Sequence, residues 1–505
     1  MNLVTLLRAN AQRFPEKPCV IFEGRAWSNR EILRHVQQLA AGLRSLGLRK
    51  GDRLAVYGYN SAEWVIAYLA ASIAGLIVVP INFRNKGEEL IHILTKAGVN
   101  AVAFDASLGS LLEEVNGQYP DVLHRICLTG QAPDWAVPWK QVAALDAEDL
   151  AFSEESGLTD GHSVCFTSGT TGMPKGVLLT QANLLIGQHF NCLGVFPFTS
   201  EDVFVITTPL CHRTGWGRLV QALGLGATAC ILPTPFETGE LIDLITRHQA
   251  TVVGMVPTMA RMLLQYSTEA DLKGLSSWKA LLLTGERCPV ELKNDYRELL
   301  PQVGLYTFYA STETGMISCL YPEHQLTKAV SVGTIAPGLE VKLDPEGEIL
   351  VRSGQPGHFA VMAGYFDDPA ATSQVIEDGW YHTGDIGQFD KDGILYIVDR
   401  KKDLIITGGL NISSREVEEV LCRHPMVREA AVASFPDPLW GEAIRAFLVV
   451  DGPVTSEEII NFCGKHLAGY KKPKLVEFLR ELPHNTSGKV LKHLLKKLPF
   501  KVDAS

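Results

Sequence analysis

The sequence predicts an α/β protein, with a large N-terminal domain of two related α/β subdomains plus a β-rich subdomain, followed by a small α+β C-terminal domain. Three observations carry this expectation. A strand–helix–strand pattern, "GDRLAVYGYNSAEWVIAYLAASIAGLIVVPIN", recurs as "SEDVFVITTPLCHRTGWGRLVQALGLGATACILPTP". Each copy sets an acid before an apolar strand (Asp52, Asp202), then a helix rich in small residues, then a strand ending at Pro80 or Pro233, and such units build parallel sheets. Beyond about residue 335 the texture turns to short Gly-punctuated strands, and beyond Lys402 to a compact alternation of helix and strand.

At 505 residues the chain exceeds one ordinary core, so more than one domain is expected. Hydrophobic content of 46% with 20% charged residues describes a folded chain rather than a disordered one. A net charge of −10 argues against a sequence-independent nucleic-acid binder, which needs a basic surface.

Taken in order, "MNLVTLLRANAQRFPEKP" reads as an amphipathic helix running into a turn, without the apolar core and cleavage site of a signal peptide. The ten cysteines form no C-x-x-C pair and no zinc-spaced His cluster, so free thiols in a reducing, cytoplasmic setting are expected. Residues 64–81 carry no charge, which raises the question of a membrane span. The Ala-rich part ends at Gly75 and the β-branched part at Pro80, so a buried helix followed by a buried strand is the expectation.

The stretch "FTSGTTGMPKG", residues 166–176, holds four hydroxyl residues, three glycines and a lysine. It is not the familiar nucleotide-binding loop: Gly169 and Gly172 are too close together, Pro174 precedes Lys175, and Gly176 follows it. A loop of this composition can turn backbone N–H groups onto phosphate, and it can equally be a plain connection. Further on, "ATVVGMVPTMARMLL" and "KALLLTGERCP" each read as a strand running into a loop and helix. Loops at the carboxyl ends of parallel strands are where such folds bind ligands, and the segments at Thr167, His212 and Tyr309 fall there. The polar "DRKKD", residues 399–403, marks the boundary between textures. After it come a helix "SSREVEEVLCRH", strands "REAAVASFPD" and "IRAFLVVDG", a helix "SEEIINFCGKHL" and the basic "YKKPK".

Six signatures stand in one order: "TSGTTGMPKG", "PLCHRTGWG", "YASTETG", "GWYHTGDIG", "DRKKDLIITGG" and "LPHNTSGKVLK". Over nearly the full length this series resembles the adenylate-forming acyl-CoA synthetase family, in particular its bacterial fatty-acyl and aryl-acyl CoA ligases. The resemblance implies an AMP-forming acid–CoA ligase using ATP, Mg²⁺ and CoA: a carboxylic acid joins AMP with loss of pyrophosphate, and CoA then displaces AMP. It implies that Thr167, Ser168, Gly169, Thr170, Thr171 and Gly172 hold the phosphates, with Lys175 neutralising their charge. Glu313 would bind Mg²⁺, Thr312 touch phosphate and Tyr309 stack on adenine. Asp385 would accept from the ribose hydroxyls and Arg400 reach the same sugar or the phosphate. His212 would border the reactive carboxylate, and Lys489 bridge it to the α-phosphate.

The same resemblance implies domains at 1–399 and 403–505 with a hinge at 400–402, centred on Lys402, about which a mobile small domain alternates between two half-reactions. Thr407, Gly408 and Gly409 would line a pantetheine tunnel beside Trp440, and Arg84, Tyr470, Lys472 and Lys474 would lie near the CoA nucleotide. The acyl pocket would involve Phe190, His212, Arg213, Val256, Gly285 and Ala310. Read without the motifs, Glu313 is a helix-start residue, Asp385 a turn residue, His212 structural and the lysines a solvated basic face.

Departures from the family pattern fall at four places. Ala310 stands where Gly is usual, "GER" replaces "G-G-A" at residues 285–287, Arg213 follows His212 where apolar residues are common, and Leu410 replaces a glutamate. Extra charge near an acyl pocket suits a polar or second carboxylate group on the substrate, and suits equally an internal pair or a solvent-facing side chain. The expected partners are a small carboxylic acid, ATP and CoA, with no nucleic acid and no integral membrane span. A carrier protein's phosphopantetheine is the alternative acceptor, and a homodimer is compatible with the chain. An oxygenase acting on its own acyl adenylate, and a binding protein that has lost catalysis, are the competing classes.

Overall fold

The computed structural model describes residues 2–119, 122, 124–144, 157–167, 173–484 and 490–499. Packing divides the chain into two compact units. One comprises Met1–Val341, Val351–Tyr381 and Lys391–Leu395; the other comprises Lys342–Leu350, His382–Asp390 and Tyr396–Ser505.

In the first unit the uncharged run resolves into a helix and a strand. The helix Ala62–Ala74 starts where the Ser61 hydroxyl accepts the Trp64 N–H at 3.0 Å, and stops at Gly75, whose φ of 71° lies in the left-handed region. The strand Ile77–Ile81 then returns parallel to Arg53–Tyr57, in register from Arg53↔Ile77 to Tyr57↔Ile81. Among the described residues no helix is long and apolar enough to cross a membrane. The second copy of the pattern folds in the same way: Val203–Ile206, helix Arg213–Leu225 and Thr228–Ile231, with Gly226 (φ 71°) ending the helix and the strands parallel.

Two sheets result. Among the described residues one has eight strands, with Arg53–Tyr57 flanked by Ile77–Ile81 and Ala101–Asp105, and Gly161–Thr167 beyond Ile77–Ile81. The other has nine, in which Val203–Ile206, Val252–Met255, Ala280–Leu283 and Gly304–Ser311 run parallel in that spatial order. One face of the nine-stranded sheet buries Val253, Met255, Leu281, Leu283 and Leu305 against Leu263, Trp278 and Tyr296. On the other face Gly254, Leu282 and Tyr306 form one row by register.

The second unit holds a sheet of Ile405–Thr407, Leu410–Ile412, Val427–Asp437, Gly441–Val450 and Leu475–Phe478. The helices Ser414–Cys422 and Ser456–His466 cover one face through Val417, Leu421, Ile459 and Cys463, packed on Ile405, Val432, Ile444 and Leu448. Phe447, Val449, Leu482 and Leu495 fill the other face. Trp380–Phe389 pairs with both Glu348–Arg352 and Leu395–Arg400. Nine cysteines carry free thiols among the described residues, seven of them buried.

Candidate active site

In the first unit the Gly-rich loop joins two antiparallel strands. Thr167 ends Gly161–Thr167, Lys175 begins Lys175–Thr180, and the two are paired. Ser168, Gly169, Thr170, Thr171 and Gly172 lie outside the described residues. The Lys175 ammonium stands 5.0 Å from the centroid of the Tyr365 ring. Tyr365 reaches this place because its short strand Gly364–Tyr365 pairs with Val177 and Leu178. Burial pushes the Tyr365 phenol up to about 12, and the nearby Glu313 carboxylate adds to the shift.

Tyr309 lies near the end of Gly304–Ser311, and the chain turns through Thr312 and Glu313 into Gly315–Leu320. The turn is held at several points. The Ser311 hydroxyl accepts the Thr314 N–H at 3.1 Å, and the Glu313 carbonyl accepts the Met362 N–H at 2.7 Å. The Arg213 Nη1 donates to the Thr312 carbonyl. Gly315 (φ 69°) suits the left-handed backbone of this turn, and a Cβ there would stand 2.6 Å from Arg213 Nη2, so that the arginine tip would have to shift. Burial pulls the Arg213 guanidinium down to about 10, opposed by the Cys165 thiol and the Glu313 carboxylate. Arg213 thus faces the turn that carries Glu313.

His212 immediately precedes the helix Arg213–Leu225. Its Nε2 lies 3.0 Å from Asn82 Nδ2, while Asn82 Oδ1 accepts the Arg84 N–H at 2.9 Å. With the amide oxygen so engaged, the Asn82 NH₂ donates to His212, which accepts through Nε2 as a neutral imidazole. Burial, with the Arg84 charge, holds this ring down to about 4. Val256 follows the strand Val252–Met255, and a Cβ on Gly285 (φ 94°) would stand 3.2 Å from Val256 Cγ1. Ala310 sits at a register shift opposite Met316. Phe190 is half exposed and meets Phe359 edge-on at 6.1 Å. Glu286 accepts from the Thr258 hydroxyl at 3.0 Å.

In the second unit buried Asp385 pairs with Arg400 at 2.9 Å. Burial lowers Lys402 below the usual lysine range. Thr407 Oγ1 donates to the Glu442 carbonyl at 2.6 Å, and the Gly408 N–H to the Trp440 carbonyl at 2.8 Å. Gly408 (φ 56°) and Gly409 (φ 80°) are both left-handed, and a Cβ on Gly408 would stand 3.0 Å from the Trp440 indole. Asp437 accepts the Trp440 N–H at 3.0 Å and pairs with Lys474. The Asp437 carboxylate thus holds the Trp440 backbone and Lys474, and Gly408 bonds that same Trp440, with Tyr470 half exposed on the same unit. Lys489 lies outside the described residues, whereas its neighbour Lys492 forms a largely buried pair with Glu418 at 2.7 Å.

Tyr365 and Asn82 were not singled out in the sequence. Both are set by strand pairing over long separations, and "AGY" and "PIN" offer no chemical signal by themselves. Among the described residues no cluster of three or more His, Cys, Asp or Glu could cage a metal. A site offering one carboxylate, Glu313, suits Mg²⁺, which takes one or two protein oxygens plus substrate phosphates rather than an all-protein cage.

The fold and this constellation define a class of enzyme that activates a carboxylic acid with ATP, and comparison with known proteins agrees. Residues 7–366 match the model of the AMP-binding enzyme, and residues 416–489 that of the AMP-binding enzyme C-terminal domain. A 2-succinylbenzoate–CoA ligase of Bacillus licheniformis is 33% identical over 496 residues, covering 97% of this chain and 98% of the relative. A feruloyl-CoA synthase of Amycolatopsis is 34% identical over 498 residues, covering 95% and 96%. The o-succinylbenzoate CoA synthetase of Bacillus subtilis, solved with its acyl-adenylate intermediate, superposes with a TM-score of 0.85 at 30% identity, covering 98% of each chain. The same enzyme with ATP and a magnesium ion gives 0.85 at 30% identity, covering 97% of this chain and 99% of that one. The chain belongs to the AMP-binding enzyme family. It is an AMP-forming acid–CoA ligase, with ATP and CoA as co-substrates and Mg²⁺ as its metal.

Proposed function

We propose that the two half-reactions use the residues placed above in the following roles. In the first, an oxygen of the acid's carboxylate attacks the α-phosphorus of ATP and the bond to pyrophosphate breaks. Thr167 and the loop through Ser168, Gly169, Thr170, Thr171 and Gly172 cradle the phosphates, Lys175 draws off their charge, and Thr312 contacts phosphate. Glu313 is the residue that would hold Mg²⁺, which when bound neutralises phosphate charge. Tyr309 stacks on adenine, and Asp385 with Arg400 binds the ribose. Neutral His212 borders the carboxylate without adding charge, and Lys489 stabilises the charge that builds between carboxylate and α-phosphate.

In the second half-reaction the CoA thiol attacks the acyl carbon and AMP leaves. Thr407, Gly408 and Gly409 line the pantetheine path beside Trp440, and Arg84, Tyr470, Lys472 and Lys474 meet the nucleotide. The unit after Lys402 (403–505) turns about that residue between steps, and residues 1–399 supply the fixed framework. A cytoplasmic setting, supported by the free thiols, completes the reading.

The observation that carries this assignment is the double hold on the Glu313 turn. Arg213 grips it from one side, and Tyr365, the residue under Lys175, lies against its carboxylate from the other. The test is ATP–pyrophosphate exchange across fatty, aryl, dicarboxylic and carnitine-like acids, repeated for the best acid with and without CoA. Exchange with one acid class, and thioester only when CoA is present, is the expected result. Exchange without thioester would transfer the acceptor role to a carrier protein.

A further inference from the structure

The strand Leu395–Arg400 and the helix Ser414–Cys422 stand on opposite sides of Lys402 in the chain, yet one buried carboxylate joins them. Asp399 is 1% exposed and Ser414 is fully buried. Asp399 Oδ2 accepts the Ser414 N–H at 2.5 Å and the Ser414 hydroxyl at 2.8 Å, and Arg415 Nε lies 3.6 Å from Oδ1. The Ser413 hydroxyl donates to the Val398 carbonyl at 2.9 Å, a second tie across the same gap. On the near side, Oδ1 accepts the Arg400 N–H at 2.7 Å.

A helix start is ordinarily capped by the residue just before it, and Ser413 does so here by accepting the Glu416 N–H at 3.3 Å. The additional carboxylate comes from fifteen residues upstream of Ser414. Taking it out of water is costly unless its oxygens are bonded, and every contact described except that from Arg400 comes from beyond Lys402. The network also continues: Lys492 Nζ donates to Ser414 Oγ at 2.8 Å and pairs with Glu418 at 2.7 Å. Lys492 follows Lys489 by three residues. The strand that carries Arg400 is thereby tied, through Asp399 and Ser414, to the segment next to Lys489.

A turn about Lys402 carries residues 403–505 and leaves Asp399 behind. The donors from Ser413, Ser414 and Arg415 meet a backbone carbonyl and both oxygens of a carboxylate, so they cannot all lie on one axis. The turn must therefore break most of these bonds. Contacts present in only one of two arrangements bias the equilibrium toward it.

We propose that Asp399 is a positioning residue that latches the arrangement used for adenylation, and that the thioester step requires its release from Ser414 and Arg415. The proposal rests on the reading above, in which Lys402 is the pivot and Arg400 and Lys489 serve the first half-reaction.

The test measures the two half-reactions apart: the single-turnover rate of acyl-adenylate formation, and the rate of thioester formation when isolated acyl-adenylate and CoA are supplied. The acid is the one that gives the fastest exchange in the panel above. The enzymes compared are wild type, Asp399→Asn, Ser414→Ala and Lys402→Pro. Asp399→Asn should slow adenylation on the order of tenfold or more while thioester formation holds or rises. Ser414→Ala, which keeps the carboxylate and removes one hydroxyl, should shift the ratio of the two rates in the same direction by less, and it reads the proposal if Asp399→Asn fails to fold. Equal losses in both half-reactions, or a lower melting temperature with the ratio unchanged, would overturn the proposal and leave Asp399 a helix cap. Lys402→Pro fixes φ at the pivot and should slow one half-reaction far more than the other. If it splits them and the Asp399 and Ser414 variants do not, the latch alone fails; if it slows both alike or neither, the pivot and the latch fall together.

Discussion

The Lys175 ammonium stands 5.0 Å above the Tyr365 ring, and the same tyrosine lies against the Glu313 carboxylate, so one phenol joins Lys175 to Glu313. Its hydroxyl, pushed up to about 12 chiefly by burial, stays protonated at neutral pH and can donate to that carboxylate. A cation over an aromatic face contributes about 0.5–2 kcal/mol. Tyr365→Leu should therefore raise the KM for ATP on the order of tenfold, and Tyr365→Phe, which keeps the ring, by less. Equal effects of the two substitutions in exchange kinetics would remove the ring from the account.

Arg213 acts on Glu313 through the Thr312 carbonyl and is a positioning residue. Its removal leaves a partly buried carbonyl without its charged donor, a loss of about 1–3 kcal/mol at most. Arg213→Met should lower adenylation on the order of tenfold or more and raise the Mg²⁺ concentration needed for half-maximal exchange. A rate loss with an unchanged Mg²⁺ dependence would show that the arginine does not act through the Glu313 turn.

Two nearby lysines should separate cleanly. Lys492 pairs with Glu418 in a largely buried setting, and breaking such a pair costs about 3–5 kcal/mol. Lys492→Met should lower the melting temperature by several degrees. Lys489→Met should leave the melting temperature within experimental scatter while cutting adenylation roughly a hundredfold. The reverse pattern would exchange their roles.

Two buried histidines make the fold less stable in acid. Burial holds His162 down to about 3, and burial with the Arg84 charge holds His212 down to about 4. Unfolded histidines titrate near 6.5. Between these values the unfolded chain binds protons that the folded chain does not. Stability is therefore complete above about pH 6.5 and falls toward pH 4, by about 1.4 kcal/mol per pH unit for each group. Urea unfolding from pH 7 to 4.5 should show this slope, and His162→Phe should remove one histidine's share. A flat profile, or an unchanged slope in the variant, would contradict it.

Much of the framework was legible because it is local. The βαβ repeats announce themselves through Gly75 and Gly226, each ending a helix just before a returning strand. The helix and strand in residues 64–81 followed from the change in side-chain type at Gly75. Non-local pairings were not legible. Pro18–Phe22 lies beside Thr228–Ile231 across two hundred residues, and nothing in either strand names its partner. The packing of Lys342–Leu350 and His382–Asp390 with the C-terminal unit is of the same kind. In the site, motif residues such as Lys175, Glu313 and Asp385 stand out by their sequence pattern, but the residues that touch them do not. Tyr365 and Asn82 make their contacts across distant strands, and position along a helix does not say that the long Arg213 side chain turns to the Thr312 carbonyl.

The most direct test of the central claim is a single-turnover experiment in two stages. Enzyme, ATP, Mg²⁺ and the best acid are mixed without CoA, and pyrophosphate and bound acyl-adenylate are counted; CoA is then added. One pyrophosphate and one acyl-adenylate per active site are expected in the first stage, then equal amounts of AMP and acyl-CoA after CoA is added. Release of AMP without thioester, or ADP and phosphate in place of AMP and pyrophosphate, would contradict it.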